Sequence, residues 1–109
     1  MLTYTTTFQK DVIQVTFQGD IDSESTDIFQ EELAALFLLE AESVVIELED
    51  VGFVDSTGIG FILGFIETLK TAGKKAVMAS ITEDVYEIFQ LLQIEEIIGD
   101  EVFEGIRIV

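Results

Sequence analysis

Hydrophobic and polar positions along the chain fall into stretches with the two-residue alternation of a strand and stretches with the three-to-four-residue repeat of a helix. Residues 2–8 and 12–17 are rich in Thr, Val, Ile and aromatics and are joined by the polar turn Gln9-Lys10-Asp11, which predicts an antiparallel hairpin. In the second strand Ile13, Val15 and Phe17 alternate with Val12, Gln14, Thr16 and Gln18, so one face is expected to be buried and the other wetter, as near a sheet edge. Gly19-Asp-Ile-Asp-Ser23 follows as a loop, and with Ser25 and Thr26 it supplies N-cap candidates for a helix. Phe29, Leu33, Leu36 and Phe37 share one face of that helix; Glu24, Asp27, Glu31 and Glu32 crowd its first turns, where the dipole favours negative charge. It is expected to end at residues 40–42. Residues 44–48 are then apolar on both faces over most of their length, which predicts a central, parallel strand covered on each side. If the second and third strands are parallel, their connection is a right-handed crossover.

A second helix is predicted over residues 57–72, apolar through Ile66 and stopped at Gly73. Lys70, Lys74 and Lys75 gather at its C-terminal end, where the dipole favours positive charge. Residues 76–79 read as the next strand. Ser80 or Thr82 caps a short helix carrying the stripe Val85, Ile88, Phe89 and Leu92, with Glu83 and Asp84 in its first turn. Ile97-Ile98 reads as a last short strand. Val102, Phe103 and Ile106 suit one face of a terminal helical segment, with residues 106–109 extended as the alternative. The expected architecture is α/β, one domain over residues 1–109: a mixed four- or five-stranded sheet with an N-terminal antiparallel hairpin and helices packed on it.

The apolar run between the third strand and the second long helix is broken by Asp55, Ser56 and Thr57, at a strand-to-helix turn where backbone N–H groups and the positive helix end are available. A hydrolase nucleophile elbow needs Gly two residues before the serine, and Val54 stands there. Gly58, Gly60 and Gly64 fit neither a dinucleotide fingerprint nor a P-loop. Gly60 and Gly64, four apart, instead read as one helix face that lets the helix approach the sheet closely, offsetting the roughly 1 kcal/mol that each helical glycine costs.

Composition narrows the chemistry further. The chain has no His, Cys or Pro, so Ser-His and Cys-His pairs, imidazole metal ligands and thiolate chemistry are all ruled out, and the lack of cysteine fits a reducing, cytoplasmic setting. A net charge of -17 opposes nucleic-acid binding and leaves two readings open, a basic partner surface or a solvated acidic one. No secretory signal stands at the N-terminus, and the apolar stretch between Asp55 and Glu67 is far short of the ~20 residues of a membrane span. Asp20, Asp22 and Asp55 are conceivable cation ligands, but caps and turns explain them as well, and neither a metal nor a cofactor is expected. No catalytic residue is assigned.

The stretch Val44-Val-Ile-Glu-Leu-Glu-Asp-Val-Gly-Phe-Val-Asp-Ser-Thr-Gly-Ile-Gly60 resembles the STAS domains, and most closely the bacterial anti-sigma factor antagonists, whose phosphorylation motif is Asp-Ser-[Ser/Thr]-Gly-[Leu/Ile]-Gly. Gly19-Asp-Ile-Asp22 resembles their other recurrent segment, and the element order agrees along nearly the whole chain. The resemblance implies partner switching. The unmodified protein binds an anti-sigma factor and frees a sigma factor; a serine kinase, often the anti-sigma factor itself, phosphorylates it; a metal-dependent serine phosphatase reverses this. By position Ser56 is the implied phosphoacceptor, with Thr57 as the alternative. Asp22, Ser23, Asp55, Ser56, Thr57, Gly58 and Ile59 form the implied partner-binding set. A STAS subunit of a stress-sensing or lipid-transport complex that is not switched by phosphate is the rival reading, and a small-ligand or nucleotide-binding module a third.

Overall fold

The computed structural model of the chain describes residues 2–23 and 41–109. The helix expected around Phe29, Leu33, Leu36 and Phe37 lies outside the described residues.

Strands β1 (Thr3–Gln9) and β2 (Val12–Gln18) form the antiparallel hairpin, paired in unbroken register from Thr3↔Gln18 to Gln9↔Val12. The tight turn is made by Lys10 at φ 57° followed by Asp11; short hairpin turns need such left-handed backbone to match the strand twist. Strands β3 (Ser43–Asp50), β4 (Lys75–Ile81) and β5 (Arg107–Ile108) add in sequence to give the order β1-β2-β3-β4-β5, every pair after the hairpin being parallel. Residues 106–109 are therefore the extended alternative, and five strands the correct number.

Burial alternates along the strands of the sheet. Ile13, Val15, Phe17, Val44, Ile46, Leu48, Ala76 and Met78 are buried, whereas the alternate residues Val12, Thr16, Val45, Glu47, Val77 and Ala79 are only half-buried. The expectation that β3 is covered on both sides is thus corrected: Val45 and Glu47 occupy a face that is not sealed. The extra residue Ala79 in β4, between Met78 and Ser80, shifts the register so that Ser80 stands beside Glu47 and its hydroxyl donates to that carboxylate.

Helix α1 (Ser56–Thr71) covers the dry face with Ile59, Ile62, Phe65, Ile66 and Leu69, the spacing that puts one stripe of a helix against a sheet. Phe61 and Phe65, one turn apart and stacked at 6.4 Å, both meet Phe17 of β2 edge-on at 6.3 Å. Edge-to-face pairs add about 0.5–1.5 kcal/mol each beyond area burial, so bulky rings here pin α1 to the hairpin side of the sheet. Helix α1 ends in a paired cap: Gly73, at φ 80°, donates to the Lys70 carbonyl at 3.0 Å and Lys74 to the Leu69 carbonyl at 2.9 Å. Lys70 and Lys74 then act as staples as well as dipole partners. The Lys74 ammonium donates to the Ala41 carbonyl at 2.6 Å, and Lys70 reaches the Ile98 carbonyl and, at 3.1 Å, Glu101.

Helix α2 (Glu83–Leu91) starts at Thr82, whose hydroxyl accepts from the Val85 N–H at 3.4 Å, so Thr82 and not Ser80 is the cap. Val85 and Phe89 are buried, but Leu92 is the C-cap and half-exposed, which narrows the expected stripe. Gln93, at φ 54°, turns the chain into α3 (Ile94–Ile98). Ile97-Ile98 is therefore helical and not a strand. Ile94 and Ile98, one turn apart, are buried while Ile97 faces solvent, a spacing that an adjacent Ile pair conceals. A 3-10 turn over Asp100–Phe103 brings Phe103 edge-on to Phe89 at 6.2 Å before β5. No helix among the described residues is long and apolar enough to cross a membrane.

Candidate functional site

Beyond β3 the chain runs through Val51 and Val54, both buried, to the N-terminus of α1. Asp55 is the N-cap there, in extended conformation, and its Oδ1 accepts from the Gly58 N–H at 2.8 Å. A carboxylate at this position satisfies one orphan N–H of the first turn and complements the positive helix end.

The same carboxylate holds a second segment. Asp55 Oδ2 accepts from the Ser23 N–H at 3.2 Å, the Asp55 N–H donates to the Ile21 carbonyl at 3.3 Å, and the Ile21 N–H donates to the Phe53 carbonyl at 3.0 Å. With the isolated parallel bridge Ile21↔Val54 and the bond from the Gly19 N–H to the Asp50 carbonyl at 3.1 Å, residues 19–23 run alongside residues 50–55 as a short zipper. The two segments that the sequence singled out therefore meet.

Gly58 shows how closely they meet. A Cβ there would lie 2.0 Å from the Ile21 carbonyl oxygen and 2.9 Å from Val54 Cγ1, and the former is backbone that cannot swing away. Gly60 and Gly64 behave differently: a Cβ on either would find nothing within 4 Å, and both are exposed. The reading that this pair lets α1 approach the sheet is corrected. They line the outer face of the helix, in register with Ser56, and the close approach is made by Gly58.

Ser56 and Thr57 are both exposed and open the helix ahead of its first internal bond, from Ile59 N–H to the Asp55 carbonyl at 2.9 Å. Ser23 is exposed, Asp22 and Asp55 are half-buried, and Gly58 and Ile59 are buried. Ile59 thus anchors the turn from the core side, while the hydroxyl pair faces outward. Phe53, three residues before Ser56, is 51% exposed and was missed from sequence because it sits within an apolar run between two buried valines. Its signal is the adjoining Gly52, also exposed, which marks a loop and not a strand interior.

Chemically, Asp55 has both oxygens committed to backbone N–H groups, so it positions the turn and does not stand as a base toward Ser56. No three acidic side chains among the described residues are grouped to hold a cation, Asp20, Asp22 and Asp55 included. What the turn offers is two exposed hydroxyl residues, Ser56 and Thr57, on a helix start held by the Asp55 hydrogen bonds.

Comparison with known proteins places this geometry in context. The family description "STAS domain" matches residues 3–107. An anti-sigma-B factor antagonist of Bacillus subtilis (strain 168) is 31% identical over 86 residues, covering 79% of this chain and 78% of its own. Among solved structures, the anti-sigma factor antagonist SpoIIAA in its unphosphorylated form superposes with a TM-score of 0.70 at 16% identity, over 98% of this chain and 88% of that one. The Bacillus cell fate determinant SpoIIAA in its phosphorylated form gives 0.68 at 13% identity, over 98% and 91%.

Proposed function

Because the chain belongs to the STAS domain family, among the anti-sigma factor antagonists, we propose that it is a partner-switching regulator whose switch is Ser56. The unmodified protein binds an anti-sigma factor that is also an ATP-using serine kinase, and so releases a sigma factor. Phosphate on Ser56 ends that complex, and a metal-dependent serine phosphatase restores the binding form. The protein itself contributes no catalytic group.

The observation that carries this reading is the exposed Ser56 hydroxyl at the first position of α1, on a turn clamped from below by Asp55 and Gly58. A phosphate adds nearly two negative charges there. The helix N-terminus can accommodate an anion, yet Asp55, already engaged as the cap, repels it. Modification therefore acts at the surface, by charge and bulk against a docked partner, while the clamp keeps the fold. SpoIIAA in its unphosphorylated form and in its phosphorylated form both share the fold of this chain, which supports a modification that leaves the domain in place. Thr57 is the alternative acceptor, and Phe53 with Ser23 and Asp22 extends the docking face.

Incubation with ATP and the cognate kinase tests the reading. Phosphate is expected on Ser56 and absent from Ser56→Ala. Failure of every encoded kinase of this type to label Ser56 would favour instead an unswitched STAS subunit of a larger complex.

A further inference from the structure

The corner where α2 turns into α3 is both apolar and acidic, and it takes no part in the Ser56 turn. Leu91 is 82% exposed, Leu92 50% and Ile97 58%, three large aliphatic side chains within one short stretch of chain. Single exposed leucines are ordinary, but a group of them at one corner forms a patch. Phe89, Ile94 and Ile98 supply the buried positions of this corner, and Leu91, Leu92 and Ile97 face outward. Among the described residues, Glu87 and Gln90 flank Leu91 in a shallow surface depression.

Charge identifies the occupant. The sequence has no basic residue between Lys75 and Arg107, and Lys70, which reaches this layer, is engaged with the Ile98 carbonyl and Glu101. Glu87, which lies beside Leu91, and Glu95 and Glu96, which directly precede Ile97 in the chain, therefore have no cation in their own segment. A second copy of the chain would bring another net charge of -17, and an anionic membrane would repel the corner for the same reason. A helix with Leu or Ile on one side and Lys or Arg flanking it satisfies both features.

We propose that the α2–α3 corner is a second docking surface, taking a basic amphipathic helix of a protein partner. It is independent of the switch. α3 is tied to Lys70, fourteen positions along α1 from Ser56, which at 1.5 Å per residue is about 20 Å along the helix.

The test titrates isotope-labelled protein with a synthetic Leu/Lys amphipathic peptide of about 18 residues, long enough to be helical, and with a scrambled peptide of the same composition. Backbone shifts are expected in α2 and α3, with the amphipathic peptide bound at least tenfold tighter than the scrambled one. Leu91→Ser/Ile97→Ser should weaken it at least tenfold, with the melting temperature checked in parallel. Should that variant melt early, Glu87→Gln/Glu95→Gln/Glu96→Gln decides: it should lower affinity and flatten its dependence on salt. Ser56→Asp should leave peptide binding unchanged, so this proposal and the switch fail separately. Equal binding of the two peptides, shifts elsewhere, or a concentration-dependent dimer abolished by Leu91→Ser/Ile97→Ser would overturn it, the last by assigning the corner to a second copy.

Discussion

Gly58 and the pair Gly60 and Gly64 sit in the first three turns of one helix, yet they serve opposite surroundings. At Gly58 the helix is pressed against the Ile21 carbonyl, so the missing side chain is what allows residues 19–23 and 50–55 to run together. At Gly60 and Gly64 the missing side chains open onto solvent. The inner face of α1 is thus specified by a steric limit, whereas the outer face carries a conformational cost without a packing return inside the domain. Close packing is concentrated where the mount of Ser56 is built.

Substitutions separate the two faces, and the first of them should have the largest effect. Gly58→Ala forces the Ile21 backbone or the helix start to move and should destabilise the domain by about 3 kcal/mol, read as a fall in the denaturant midpoint. A neutral result would show that the zipper is not tight. Asp55→Ala removes the N-cap and the bond to the Ser23 N–H, for a loss of about 1–2 kcal/mol and faster amide exchange at Ser23 and Gly58. Gly60→Ala and Gly64→Ala should go the other way, each stabilising by about 0.5–1 kcal/mol, because nothing obstructs the new methyl groups. Loss of stability at either would place a hidden contact on the outer face.

The smallest effect belongs to the far end of α1. Glu101 has its carboxyl held below the ordinary carboxylate value, first by its own backbone N–H and then by Lys70. A depressed folded value means that this contribution is present above the unfolded carboxylate range near pH ~4.3 and is lost as pH falls through the folded value. Lys70→Gln should therefore slightly reduce the loss of stability on acidification below about pH 4.3 and also remove the staple to Ile98. Glu101 is exposed and Lys70 partly so, and an unchanged acid limb would mean that solvent screening has cancelled the pair.

Much of this was legible in the chain because periodicity and caps report local physics. The hairpin, β3 and α1 lie within two residues of expectation, and Asp55 and Thr82 cap as short polar side chains should. The meeting of the Gly-Asp-Ile-Asp segment with the Asp-Ser-Thr-Gly turn was suggested by family resemblance; its basis, a backbone zipper with no room for a Cβ at residue 58, has no signature in either segment alone. Glycine spacing misled because a four-residue interval gives a shared face but not which face. The Ile97-Ile98 pair misled because β-branched content outweighed the one-turn spacing of Ile94 and Ile98. The half-open second face of β3 was concealed because Val45 and Val77 look the same in sequence whether a layer covers them or water does.

Between the crowded inner face and the open outer one stands Ser56, the residue proposed as the switch. The most direct measurement is the affinity of the cognate anti-sigma kinase for the unmodified protein and for protein phosphorylated at Ser56, in the same buffer. Phosphorylation should weaken binding at least tenfold, about 1.4 kcal/mol, while the amide-exchange pattern of the sheet stays as it was. Equal affinity for the two forms would rule out Ser56 as the switch.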